Sequence, residues 1–503
     1  MLSVAFAKAL RVNPLAAKRA LPCLRSLHSA SSGLATARLH AQITGAAAKG
    51  LRGAAQTSRC YAALAKQAFA SAKVKALEPR FFSSNSARQD AARAGALDPP
   101  LPTLSPPVVG RWLLFSSALV FAVIVVGGVT RLTESGLSIT EWKPISGILP
   151  PLSQGEWQAE FDKYKATPEF KMLNHSISLE EFKSIFWMEW GHRVLGRIIG
   201  ITFVVPLAYF ALRKQLTSSL PRQLTAMAAL IGLQGLLGWY MVKSGLEDSI
   251  IETNSIPRVS QYRLAAHLGT AFVLYGGMLG TGLAALFDWK YATQGAWSGL
   301  KDASAWQSVL SNPHVKRFSR ASWALTGLVF LTALSGAFVA GLDAGLLYNE
   351  FPLMGGRLAP PSNELFDPAY AKDPNGSDIW WRNIFENPTT VQFDHRVLAT
   401  TTYFATAALW LASRRPAYRA VLTPMTKRFA AAAFGVANIQ VILGISTLLY
   451  LVPVSLAACH QAGSVALLTS MIHLLVALRR PGAAARAWRD VSMAAQRQRK
   501  ASH

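Results

Sequence analysis

The sequence predicts an all-α integral membrane protein of eight transmembrane helices, arranged as two tandem, pseudo-symmetric four-helix bundles. Three observations lead there. The chain is 51% hydrophobic and only 15% charged, whereas an average soluble domain carries about 25% charged residues. Its uncharged runs are long enough to cross a bilayer. The motifs of its first half recur, in order, in its second.

The first 90 residues stand outside that fold. Residues 1–89 hold 14 Lys and Arg and a single acid, Glu78, in a background of Ala, Ser and Leu. An Arg-rich, Ser-rich, acid-poor N-terminus has the make-up of an amphipathic mitochondrial transit peptide. The net charge of +25 would suit nucleic acid if it were spread evenly; it is not, and no nucleic-acid partner is expected. Cys23 and Cys60 fall in this leader, which leaves Cys459 alone and excludes a disulfide within the remainder.

Crossing a bilayer takes about 20 apolar residues. Uncharged runs at 112–130, 223–242, 264–287 and 321–342 qualify, and 198–212 and 397–413 qualify once their Arg-bearing first turns are counted. Residues 429–478 carry no charge, and Pro453 divides them into two helices. The connections at 131–188 and 343–390 are acidic; the opposite side carries Arg213, Lys214, Arg222, Lys316, Arg317, Arg320, Arg414, Arg415 and the tail from Arg479. The positive-inside bias therefore puts both termini in the matrix of a multi-pass inner-membrane protein, with the acidic loops in the intermembrane space. The expected division is a leader at 1–90, a first half at 105–290, a matrix linker at 291–318, a second half at 319–480 and a basic matrix tail at 481–503.

Four motif pairs carry the repeat. GGVTRLTESGL (127–137) matches GAFVAGLDAGL (336–346), HRVL (192–195) recurs at 395–398, LQGLLG (233–238) parallels IQVILG (439–444), and AAHLG (265–269) parallels ACHQA (458–462). A period of this length marks a duplicated unit. The repeat puts His192, His267, His395 and His460 near the starts of the even-numbered helices, at one depth near the outer face. Two imidazoles facing each other across a four-helix bundle suit the two axial positions of a haem iron. A lone intramembrane histidine more often serves helix packing or a polar pathway; two pairs in equivalent places favour metal ligation. Zinc or copper would want further nitrogen, sulfur or carboxylate donors. His473 has no counterpart, and His175 and His314 lie in loops.

The halves differ at one position. Glu189 stands three residues before His192, on the same helical face, and its counterpart before His395 is Gln392, which cannot ionise. That asymmetry argues for a substrate site in the first half and a bound redox cofactor in the second.

The segments GGVTRLTESGLSITEWKP, PEFKMLNHSISLEEFKSIFWMEWGHRVLGR and GAFVAGLDAGLLYNEFPLM resemble the signature segments of the mitochondrial haem A synthase family, and the similarity spans about residues 110–480. The resemblance implies an inner-membrane oxidoreductase that converts a ring methyl of haem O to the formyl group of haem A for cytochrome c oxidase. It implies His192 and His267 as axial ligands of the substrate haem, His395 and His460 as ligands of a resident haem b, and Glu189 as the catalytic carboxylate. Bacterial members of the family can carry loop cysteines, which are missing here from the equivalent loops, so no thiol chemistry is expected.

Propionates need cationic or hydrogen-bonding partners, and Arg131, Arg193, Arg258, Arg263 and Arg396 lie at the outer level as candidates; each could instead snorkel at the interface. Trp187, Trp190, Trp239 and Phe393 would pack on the porphyrins or form the interfacial aromatic belt. A haem O synthase, an electron-transfer partner and a second copy of the chain are candidate protein partners. The rival reading is a two-haem b-type membrane cytochrome acting only in electron transfer, which explains four histidines but not the Glu189/Gln392 difference. A transporter would instead show helices broken at mid-membrane.

Overall fold

Eight long helices carry the architecture: α1 (Pro107–Leu132), α2 (Leu179–Leu212), α3 (Leu220–Gly245), α4 (Gln261–Gln294), α5 (Pro313–Gly341), α6 (Pro388–Arg414), α7 (Pro424–Leu449) and α8 (Val454–Ala477). They are seen in a computed structural model that describes residues 101–143, 147, 149–247 and 258–501. The expected leader lies outside the described residues. Ala96–His503 make one compact unit, and every regular element described in it is helical; isolated bridges pair only Trp297 with Leu300 and Met354 with Arg357.

Seven of these helices are long and apolar enough to cross a membrane. The expected span at 397–413 falls in α6, a 27-residue helix outside that set. The reason lies in its composition. Gln392, Asp394, His395 and Arg396 occupy its early turns, and threonines follow at 400, 401, 402 and 406. The Thr400, Thr401 and Thr406 hydroxyls donate to the carbonyls of Arg396, Val397 and Thr402 one turn back, so these polar side chains are satisfied within the helix itself.

Local signals set the ends. Prolines stand in the first turns of α1, α3, α5, α6 and α7, where the missing N–H has no intrahelical partner to lose. A capping box starts α2: the Ser178 hydroxyl accepts from the Glu181 N–H while the Glu181 carboxylate accepts from the Ser178 N–H. That start is earlier than the apolar run suggests. At 34 residues, α2 is about 51 Å long, well beyond a hydrocarbon core of about 30 Å. Its first turns rise out of the apolar span and pack Phe182 and Phe186 against Trp157, Phe161 and Tyr164 of helix Gln154–Lys165. The long connection expected at 131–188 is therefore a folded helical cap with its own aromatic core. At the other end, α4 runs past its span to pack Tyr291 and Ala292 against Trp297 and Ala485, and its Asp288 accepts both guanidinium N–H bonds of Arg479, each at 2.9 Å. The expected basic tail is thereby docked as helix Ala483–Ala501.

Neighbour relations repeat between halves. Helix α1 packs on α2 and α4, and α3 packs on α2 and α4; likewise α5 packs on α6 and α8, and α7 on α6 and α8. Contacts between the halves run through α1, α4, α5 and α8. Helices α1 and α4 approach at glycines: a Cβ on Gly110 would meet the Gly282 carbonyl at 2.9 Å, and one on Gly282 would meet the Gly110 carbonyl at 3.0 Å. Such close backbone approach is how membrane helices gain packing without a hydrophobic driving force.

Candidate functional site

Each of the four histidines leans on a glycine of the preceding helix. A Cβ added at Gly127 of α1 would stand 3.0 Å from His192 Nε2, and one at Gly238 of α3 would stand 3.7 Å from His267 Cε1. In the second half a Cβ at Gly336 of α5 would lie 3.4 Å from His395 Cε1, and one at Gly444 of α7 would lie 2.8 Å from His460 Cε1. Gly127 and Gly336 are equivalent in the repeat, as are Gly238 and Gly444. All four histidine residues are half-buried although they sit among helices.

His192 interacts electrostatically with His267, and His395 with His460. Their outer nitrogens are held unequally. His395 Nδ1 bonds the Ser335 hydroxyl at 2.7 Å, whereas the buried Nδ1 atoms of His267 and His460 have no partner. The backbone beneath is matched: Gln234 donates to the His267 carbonyl at 3.1 Å and its repeat equivalent Gln440 to the His460 carbonyl at 2.9 Å. Among the described residues no three His, Cys, Asp or Glu side chains gather to hold a bare ion. Two imidazoles in each half, in repeat register and each beside a glycine, fit a flat macrocycle whose iron takes nitrogen ligands.

Glu189 is buried and fully engaged. One carboxylate oxygen accepts from Arg193 Nε and Nη2 at 3.0 and 2.6 Å; the other accepts from the Ser138 hydroxyl at 2.7 Å and the Ile139 N–H at 2.8 Å. Such charge-assisted bonds fix both partners, so Glu189 ties the helix bearing His192 to the segment that leaves α1. In the second half the Gln392 amide donates to the Tyr348 carbonyl at 3.2 Å, and its buried oxygen has no partner. The scaffold is shared; the carboxyl group is not.

The five candidate arginines fall into three arrangements. Arg193 and Arg396 are repeat equivalents: one donates to the Ile139 carbonyl at 2.9 Å and the other to the Tyr348 carbonyl at 2.7 Å, and these acceptors are themselves equivalent. Arg131 and Arg258 converge from the first half on Asp343 of the second, at 2.9 and 3.4 Å. Arg263 lies over the Tyr240 ring, 4.4 Å from its centroid. A cavity of about 330 Å³ opens between Arg193, Trp142, Trp239 and Lys243, beside the residues that carry His192 and back His267. A smaller one of about 170 Å³ adjoins Ser335 and Asp394 in the second half. Trp187 packs on Trp157 and Trp190 in the cap, at centroid distances of 5.6 and 5.2 Å.

The backing glycines, the two glutamines and Glu169, a buried acid in the cap, were missed by sequence reasoning. For the first two the signal was present: Gln234, Gly238, Gln440 and Gly444 all lie inside the repeated LQGLLG and IQVILG segments.

Fold and site together define a multi-pass helical membrane protein with four histidines in repeat register. Residues 110–472 match the family model COX15-CtaA, cytochrome oxidase assembly protein, and the chain belongs to that family. It is 48% identical over 376 residues to the heme A synthase COX15 of Saccharomyces cerevisiae, covering 75% of this chain and 76% of that protein. It is 48% identical over 377 residues to the human heme A synthase COX15, covering 74% and 83% of the two chains. A heme A synthase-mitochondrial ferredoxin fusion protein of Schizosaccharomyces pombe is 48% identical over 367 residues, covering 73% of this chain and 59% of that longer one.

Proposed function

We propose that this protein is a haem A synthase, an oxidoreductase that converts a ring methyl of haem O to the formyl group of haem A for cytochrome c oxidase. The observation that carries the reading is the duplicated imidazole pair equipped with an ionisable carboxylate in one half only. High identity to heme A synthases over most of the chain supports it, and the pure electron-transfer cytochrome leaves the Glu189/Gln392 difference unexplained.

In this reading the eight long helices are eight spans in two four-helix bundles, at 105–290 and 319–480, joined by a matrix linker at 291–318 and followed by a matrix tail. The repeated neighbour relations support it. Both termini face the matrix, and the haem sites lie toward the intermembrane space. His192 and His267 hold substrate haem O, while His395 and His460 hold a resident haem b. When bound, haem b supplies a one-electron relay out of the first site. Glu189 and Arg193 keep the mouth of the first site shaped through Ser138 and Ile139. The carboxylate offers negative charge at the edge of the substrate, where positive character develops as the methyl is oxidised. It can also take a proton there if one of its four donors yields. Were His192 and His267 both to ligate the substrate iron, that iron would have no opening for dioxygen and water would supply the oxygen. Arg131, Arg193, Arg258, Arg263 and Arg396 remain the candidate propionate partners. The fission-yeast fusion makes a ferredoxin the natural class of electron-transfer partner; a haem O synthase would hand over the substrate, and a homo-oligomer would fit the exposed helix faces.

The test is Glu189→Gln in purified protein. Both haem spectra are expected to persist while haem A formation falls about a hundredfold, the scale of a positioned acid–base group. Normal turnover in that variant removes the carboxylate from the chemistry.

A further inference from the structure

We infer that Glu169 is a proton-relay residue for the first site, accepting protons from the Glu189 side and passing them to Glu134 at the surface. The inference rests on the proposed oxidation, which releases protons as electrons leave the methyl group.

Glu169 lies in the cap, in the five-residue helix Pro168–Met172, and is only 4% exposed. One of its carboxyl oxygens, Oε2, has no hydrogen-bond partner. An unpartnered buried polar atom costs about 1–3 kcal/mol, and an amide or a leucine at this position would fill the same space without a titrating proton. Tyr164, a fully buried residue of helix Gln154–Lys165, acts on the Glu169 charge, and its hydroxyl accepts from Asn174 Nδ2 at 2.9 Å. The other groups that act on it electrostatically are Glu189 from α2, Arg131 from the end of α1 and Glu134 just beyond that helix. Of the two carboxyls that act on Glu169, Glu189 is buried and Glu134 exposed.

Burial first, then the negative charge of Glu189, pushes the Glu169 carboxyl up to about 8, with Tyr164 partly offsetting the rise. An acid of that strength can both bind and release a proton near neutral pH, which an exposed glutamate at about 4.3 cannot do efficiently. The balance is simple. A proton leaves the Glu189 side and protonates the Glu169 carboxylate; the carboxylic acid then gives it to Glu134, which passes it to bulk water. No electron moves in either transfer.

The experiment compares the full-length protein with Glu169→Gln and Glu169→Asp, following haem A formation across pH 6 to 9 beside the haem spectra. In the unaltered protein the rate is expected to rise with pH through about 8, as Glu169 becomes free to accept. Glu169→Gln should keep both spectra, slow about tenfold and lose that rise, while Glu169→Asp should recover part of it. Wild-type rate and profile in Glu169→Gln would overturn the relay, as would slowing in both variants with the rise intact, the mark of a purely structural role. If Glu169→Gln loses its haem spectra, Glu134→Gln decides at the exposed end: a weakened rise supports the relay and an unchanged one overturns it. Failure of the unaltered protein to form any haem A would instead remove the oxidation, and the relay with it.

Discussion

At Gly444 a single hydrogen in place of a methyl gives the His460 ring its position, since a Cβ there would stand 2.8 Å from Cε1. The same relation holds, less tightly, at Gly127, Gly238 and Gly336. Gly444→Ala should therefore cost the second site its haem or shift its ligand-field spectrum, with the first site unaffected; Gly238→Ala, with 3.7 Å of clearance, should change little. Difference spectra of the two purified variants check this. Glu169 gives a pH dependence of the opposite kind to that of an ordinary carboxylate. Its folded-state value, about 8, lies above the usual 4.5, so the folded cap binds a proton that the unfolded cap has released. Its contribution to cap stability is full below about pH 4.5, falls as pH rises and is gone above about 8. Hydrogen exchange over 154–186 should show protection falling across that window in the unaltered protein and a flatter profile in Glu169→Gln. The candidate histidines were legible in the sequence because the repeat put them in register. Glu169 was not, because a carboxyl in an acidic loop looks solvated until the aromatic cap closes over it.

The helices divide into those the sequence delimits well and those it does not. A long uncharged run placed α1 closely, and Pro453 marked the division between α7 and α8. Helix α2 begins well before its apolar run, since a capping box and amphipathic first turns extend it into the cap, where only packing against helix Gln154–Lys165 gives those turns a buried face. Helix α6 shows the converse. Its ladder of threonines lowers its apolar character while each bonded hydroxyl is satisfied internally, so composition understates its capacity to lie in lipid. The α1–α4 crossing yields a prediction at this scale. Gly282→Leu would drive a side chain into the Gly110 carbonyl and Leu113, each 3.0 Å from the new Cβ, and overpacking of this kind costs about 1–3 kcal/mol. Thermal unfolding in detergent should register the loss, and Gly235→Leu, where nothing lies within 4 Å, should not.

Across the whole molecule, the halves meet where their sites do. On α1, Gly127 clears His192 while its neighbour Gly128 clears Gln461, and Gln461 follows His460 and donates to the Ile124 carbonyl at 2.9 Å. Adjacent glycines thus serve opposite sites, and Gly127→Ala is expected to perturb the first haem spectrum while Gly128→Ala perturbs the second. On the outer side Asp343 draws Arg131 and Arg258 to the same point. Asp343 and its repeat partner Glu134 both adopt left-handed backbone, at φ 52° and 51°, so the duplication persists in conformation as well as in sequence. Asp343 is 45% exposed, and a partly solvated pair contributes about 1 kcal/mol at most, so Asp343→Asn should lower stability slightly and leave haem content intact.

The most direct measurement is to extract the haem from the purified protein and separate it chromatographically, with His395→Ala and His192→Ala alongside. Haem B together with haem O or haem A is expected from the unaltered protein, His395→Ala losing the haem B and His192→Ala the other. Haem B alone in the unaltered protein, or loss of the same haem from both variants, would contradict two sites built alike and loaded differently.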